Sequence, residues 1–95
     1  MTNHVEREMT ISRNEFLRLL PVALAKFDYE LDGNSISFGL AQGNAVIKLK
    51  RETERKIASL RLPVLHVEFR FDMVPEKRQQ ELLQHFFKIY QRGGG

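Results

Sequence analysis

The sequence contains no cysteine, and this absence removes several kinds of chemistry at once. Disulfide bonds, thiolate nucleophiles and cysteine-based zinc or iron–sulfur sites are all excluded. No apolar run approaches the roughly 18 residues that a membrane-spanning helix needs, and the N-terminal region lacks the basic-then-apolar order of a signal peptide. We therefore expect a protein that is stabilised by packing alone, has no membrane partner and acts in the cytoplasm.

The chain length leaves room for a single hydrophobic core, since 95 residues lie near the lower end of the usual domain range. We expect one domain over residues 11–91. Residues 1–10 are polar and aperiodic, which predicts a flexible tail or a short edge segment. Residues 92–95 predict a flexible glycine tail, with Gly93 as a cap for the helix before it.

A capping box predicts the start of the first helix. Ser12 is followed three positions later by Glu15, and Ile11 and Phe16 are spaced as a hydrophobic staple. The apolar residues that follow recur at helical spacing and predict a helix that faces the core. Pro21 predicts a kink or a break near the last turn, so the helix should end by Lys26.

Alternating residues predict several strands after this helix. Residues 27–31, 35–40 and 45–50 alternate between apolar and polar, with tight turns at 32–33 and 42–44. Residues 65–71 alternate strictly and predict a half-buried strand. Residues 52–62 fit neither period, and we favour a turn at 52–55 followed by a strand, with a short helix as the alternative. Pro63 marks a bulge, an edge or a break.

A second helix is expected to close the domain. Pro75 suits its first position, and the apolar pattern runs to about Gln91. Its apolar stripe is wider than a surface helix needs. Together these elements predict a two-layer α+β fold, in which the N-terminal and C-terminal helices pack on one face of an antiparallel sheet of four or five strands.

Positive charge is concentrated in one stretch. The chain has 15 Lys and Arg against 12 Asp and Glu, a small excess. Six of the cations lie within 14 residues and are candidates for binding an anion: Lys48, Lys50, Arg51, Arg55, Lys56 and Arg61. This stretch suggests an electrostatic surface for nucleic acid or another polyanion. The phenylalanines fall on predicted core faces, which argues against base stacking on single strands.

No catalytic, cofactor or metal motif is present. His66, Glu68 and Arg70 form a line of titratable groups on one strand face, but compensating charges on the predicted neighbouring strands favour a solvated face over a catalytic site. His4 and His85 have no spacing that would place two histidines on one face of an element. We therefore predict no enzymatic activity, no cofactor and no metal site.

Two resemblances to known families do not carry a function over. The order of helix, strands and helix resembles the double-stranded-RNA-binding domain, but that family has a lysine cluster at the start of its second helix, where residues 75–80 here read PEKRQQ. The glycine ending resembles the diglycine tail of ubiquitin-like proteins, which leaves a strand, whereas this one follows a predicted helix. Neither activity is therefore expected.

The preferred hypothesis is a small non-enzymatic module for protein interaction, with self-association as one form of it. The third predicted strand has only about seven residues and cannot pair with all of residues 56–72. Either Pro63 breaks this segment into two strands of one sheet, or residues 64–72 present an unpaired edge that a second copy could cover. The surplus apolar width of the second helix, at Leu83, Phe87 and Tyr90, suggests an interface. The alternative is a nucleic-acid or polyanion binder that uses Lys48–Arg61.

Overall fold

The structure is a computed structural model that describes residues 2–93. In these residues the chain forms two helices and one five-stranded antiparallel sheet with strand order β1-β5-β4-β3-β2. The elements are β1 (Thr2–Met9), α1 (Arg13–Ala23), β2 (Tyr29–Asp32), β3 (Ser35–Gly39), β4 (Asn44–Ile57), β5 (Leu60–Asp72) and α2 (Glu76–Gly93). The predicted two-layer α+β fold is confirmed, with one helix near each end of the chain.

Strand β1 occupies the segment for which the sequence suggested a tail or an edge segment. It pairs with β5 along its whole length, from Thr2 opposite Asp72 to Met9 opposite Leu65. The sequence of β1 shows little apolar alternation, because Val5 and Met9 are its only partly buried hydrophobic residues among those described. Charged residues on an outer strand discourage pairing with other chains. The same charged residues make the sequence of this strand resemble that of a polar tail.

Helix α1 begins where the capping pattern predicts. The Ser12 hydroxyl accepts a hydrogen bond from the backbone N–H of Glu15 at 3.1 Å, and the Glu15 carboxylate accepts hydrogen bonds from the Arg18 guanidinium. Pro21 lies inside the helix, which ends at Ala23 with Leu24 as its cap. The helix therefore ends before Lys26, as expected. At the other end of the chain α2 extends to Gly93, and Gly94 and Gly95 of the predicted glycine tail lie outside the described residues.

Strands β4 and β5 form one long hairpin, and the predicted turn at residues 52–55 is wrong. β4 has 14 residues and continues to Ile57, and the chain reverses at Ala58 and Ser59. β5 has 13 residues and is not broken at Pro63, which lies opposite Glu54 beyond the end of β1. Proline is tolerated there because that part of β5 has no second neighbouring strand.

The core lies between the helices and one face of the sheet, and aromatic rings form its centre. The ring of Phe16 stacks on Tyr90 with centroids 4.6 Å apart, and Phe86 meets Phe69 edge to face at 5.3 Å. The Tyr90 hydroxyl donates a hydrogen bond to the backbone carbonyl of Phe16 at 2.7 Å. Burial raises the pKa of this hydroxyl. Tyr90 therefore joins α2 to α1 inside the domain.

Candidate functional site

The β4–β5 hairpin extends beyond both of its neighbours in the sheet. β3 pairs with β4 only as far along it as Lys48, and β1 pairs with β5 only as far along it as Leu65. Residues 53–64 therefore form a two-stranded ribbon, which we call the arm. It contains five residue pairs and so has a length of roughly 17 Å. The overall extents of 46 × 24 × 24 Å show the elongation.

A β-bulge sets the two faces of the hairpin. The pairing register shifts between Leu49, which lies opposite Val67, and Arg51, which lies opposite His66. Before the bulge the odd residues of β4 face the helices, and after it they share a face with His66. A bulge of this kind adds one residue to one strand and reverses the alternation beyond it.

The arm has one apolar and one polar face, because residues opposite each other on paired strands lie on the same side. The apolar face continues the outer face of the sheet, which we define as the face turned away from both helices. It carries Thr53, Arg55, Ile57, Leu60, Leu62 and Val64. At its tip Ile57 and Leu60 are opposite each other and 51% and 61% exposed. The second face carries Glu54, Lys56, Arg61 and Pro63.

All six predicted anion-binding residues lie on this hairpin, but they do not share one face. Lys48 is half-buried opposite Glu68, and the other five are exposed. Lys50 and Arg51 lie at the bulge, at the base of the arm. The remaining three lie on the arm itself, Arg55 on the apolar face and Lys56 opposite Arg61 on the polar face.

Acidic residues of the hairpin are partly engaged within the chain. Glu54 lies 3.9 Å from Arg61, with both side chains more than half exposed. A carboxylate oxygen of Glu52 accepts a hydrogen bond from the backbone N–H of Arg13 at 2.6 Å, which joins the base of the arm to the start of α1. Exposed ion pairs of this kind contribute little to stability. The arm therefore keeps a net positive charge.

A cleft of about 830 Å³ lies at the base of the arm, and β1 forms one side of it. Glu6 and Glu8 line the cleft together with Lys50, Arg51 and His66. His66 Nδ1 lies 3.7 Å from a Glu8 carboxylate oxygen, and His66 Nε2 lies 3.3 Å from the Thr53 hydroxyl. Sequence reasoning missed Glu6 and Glu8 because it assigned them to a tail; their alternation about Arg7 is too short to signal a strand.

Glu68 differs from the sequence interpretation, which placed it on a solvated face. It is only 5% exposed, and its carboxylate accepts a hydrogen bond from Arg70 Nε at 2.8 Å. Burial acts to raise the pKa of Glu68, but the Arg70 hydrogen bond and the positive charges of Arg70, Lys50 and His4 outweigh it and hold the pKa below its ordinary value. The long side chains of the neighbouring strands thus cover part of this face.

The predicted interface residues of α2 fall into two environments. Tyr90 is buried in the core, whereas Leu83 and Phe87 are half-buried. The Phe87 ring meets Phe69 edge to face at 5.6 Å, and the Arg7 guanidinium lies 6.0 Å from the Phe87 ring centroid. Most of the surplus apolar width of the helix is therefore used inside the domain.

The prediction of an unpaired edge in the last part of β5 is wrong. Residues 60–72 pair with β4, and residues 65–72 pair with β1 on the other side. The mismatch in strand length came from ending the third predicted strand too early. The free edges of the described hairpin are those of the arm.

The described part of the chain offers neither a metal site nor a membrane-spanning helix. Residues 2–93 contain no group of three or more His, Asp or Glu side chains placed to hold a metal ion. Neither helix in this range has the length and hydropathy to cross a membrane. A scan against protein-family models found no match, and a search of curated proteins found no similar sequence.

Proposed function

We propose that the protein is a binding module that uses the arm and the bulge at its base to bind nucleic acid. The observation that carries this proposal is the projection of a basic ribbon beyond the two-layer body. Arg55, Lys56 and Arg61 are exposed on it, and Lys50 and Arg51 stand at its base. Such cations bind phosphates and release the counterions condensed on a nucleic acid.

The geometry of the arm favours a duplex over a single strand. A two-stranded β-ribbon fits the major groove of duplex DNA, and several DNA-binding folds place strands in the major or the minor groove. Proteins that bind single strands usually stack bases on exposed aromatic rings. In this chain Phe69 and Phe71 are buried and the described arm carries no aromatic residue.

Fluorescence anisotropy with duplex DNA, duplex RNA and single-stranded DNA of generic sequence tests the proposal. We expect duplex DNA to bind most tightly, with log affinity falling linearly with log salt concentration. The triple variant R55A/K56A/R61A should bind more weakly and should reduce the salt slope by as much as about 2.7, since each phosphate contact contributes about 0.9.

A matched control removes the same charge elsewhere. Lys26, Lys77 and Lys88 are exposed and lie outside the arm, so K26A/K77A/K88A should leave the salt slope close to that of the wild-type protein. Equal losses in the two triple variants would mean that net charge, and not the arm, governs binding. No binding of the wild-type protein at low salt would overturn the proposal.

A module for protein interaction, including self-association, is the second candidate. It is favoured by the two free backbone edges of the described arm and by the exposed Ile57 and Leu60. Edges of this kind can pair with a second copy or with another chain. Sedimentation velocity over a micromolar range of protein concentration tests self-association.

For either function, we propose that the protein acts in the cytoplasm.

A further inference from the structure

We infer that Ile57 and Leu60 form an apolar wedge that enters the minor groove of a DNA duplex and kinks it. The inference rests on the proposed function, because it assigns a role to the tip of the same arm. The two side chains lie opposite each other at the end of the ribbon and are 51% and 61% exposed, so most of their apolar surface is available to a partner. Proteins that bend DNA insert Ile or Leu between base steps and partly unstack them.

The turn holds the two side chains at the very end of the arm. Ile57 pairs directly with Leu60, so only Ala58 and Ser59 connect the strands. Ala58 has a φ of 53°, a left-handed conformation that short hairpin turns require and that glycine usually supplies. Pairing therefore continues to the last residue before the turn, which keeps the wedge in a fixed orientation.

The charges around the wedge favour DNA as its partner. Arg55 lies two residues before Ile57 on the same face, and Lys56 and Arg61 lie opposite each other on the other face, next to the tip. An inserted wedge would thus have cations on both sides, where the phosphates of the two DNA strands border the groove. A second copy of the arm would bring like charges together.

A membrane is a poorer partner for the same tip. The edges of the arm expose backbone N–H and C=O groups, since neither β1 nor β3 extends along it. These groups would lose their hydrogen bonds with water inside the hydrocarbon layer, which is costly. In a DNA groove they stay hydrated or reach phosphate and sugar oxygens.

A bending assay tests the wedge with the variant I57S/L60S. The probe is a duplex of about 30 base pairs with a donor and an acceptor dye at its ends, so that a kink raises energy transfer. We expect wild-type protein to kink the duplex by roughly 20 to 90°. The variant should bind severalfold more weakly, with an unchanged salt slope and no kink. I57A/L60A, which keeps strand alternation with smaller side chains, should behave in the same way.

The matched control is V22S/L31S, which replaces two other exposed apolar residues outside the arm. It should bind and kink DNA as the wild-type protein does. Binding without a kink, or an equal kink by I57S/L60S, would overturn the wedge and leave the proposed function standing. Failure of the wild-type protein to bind any duplex would overturn both. Binding to phosphatidylserine vesicles that is lost in I57S/L60S, with no kink in DNA, would assign the tip to a membrane and overturn the wedge.

Discussion

Gly43 shows how closely a single residue is constrained in the turn between β3 and β4, at the end of the hairpin opposite the arm. It lies in the turn before β4 with a φ of 79°, and an added Cβ would stand 2.1 Å from the carbonyl oxygen of Asp72. Both the left-handed backbone and the contact with another backbone disfavour any side chain. Gly33 also has a positive φ, of 61°, but it has open space around it.

These differences predict a graded series of alanine variants. Gly43→Ala should lower the free energy of unfolding by more than about 2 kcal/mol, because strain and a backbone clash act together. Gly33→Ala should lose about 1 kcal/mol from strain alone. Gly39→Ala, which meets no atom within 4 Å and has no positive φ, is the control. Urea unfolding measures all three, and equal stabilities of the Gly43 and Gly39 variants would contradict the turn geometry.

Glu68 predicts a pH dependence of stability. Its pKa is lower in the folded state than its ordinary value of 4.5, so its contribution is fully present above pH 4.5 and is lost as the pH falls through the folded pKa. The variant Glu68→Gln has no such proton uptake. Below pH 4.5 the wild-type free energy of unfolding should therefore fall more steeply with acid than that of the variant. Parallel slopes in urea titrations across this range would contradict the Arg70 hydrogen bond.

The packing of both helices on the sheet depends on a shared aromatic cluster. Phe86 contacts Phe16 of α1, Phe69 of β5 and Tyr90 of its own helix, with ring centroids 4.7–5.7 Å apart. Phe86→Ala should cost about 3 to 5 kcal/mol, since it opens a cavity at the junction of three elements. Leu31→Ala, at an exposed position, should cost far less. Similar unfolding midpoints for the two variants would contradict this packing.

Elements with one buried face were predictable from the sequence, whereas β1 and the outer half of the hairpin, which lack one, were not. The two helices bury every third or fourth residue, and strand β3 buries every second residue. The periodicity of these elements is therefore visible in the sequence. β1 has too few apolar residues to show such a pattern. In the hairpin the bulge at Lys50 reverses the alternation, and residues 51–61 are exposed on both faces. Because of these two effects, the sequence of this part of the hairpin shows neither the strand period nor the helix period.

The candidate site was predictable in composition but not in shape. The six basic residues are close together in the sequence, so their charge could be recognised without a structure. Their placement on a projecting ribbon depends on where β1 and β3 end, which local sequence does not encode. The proximity of Glu8 to His66 likewise depends on long-range pairing between β1 and β5.

The part of the molecule that projects from the body is also the part that carries the excess of positive charge. Residues 48–61 carry six cations and two glutamates, whereas the rest of the chain has nine cations and ten acidic residues. The entire excess of positive charge therefore lies on the long hairpin, and most of it lies on the arm or at its base. A field concentrated at one end of an elongated molecule would orient it toward a polyanion before contact.

If the arm is the binding surface, an NMR titration with duplex DNA will locate the contact there. Backbone amide shifts of the uniformly labelled protein would be followed as duplex DNA is added at low salt. We expect the largest changes over residues 50–62, with Ile57 and Leu60 among them and with residues 77–88 of α2 nearly unchanged. Changes centred on α2, or no changes at all, would contradict it.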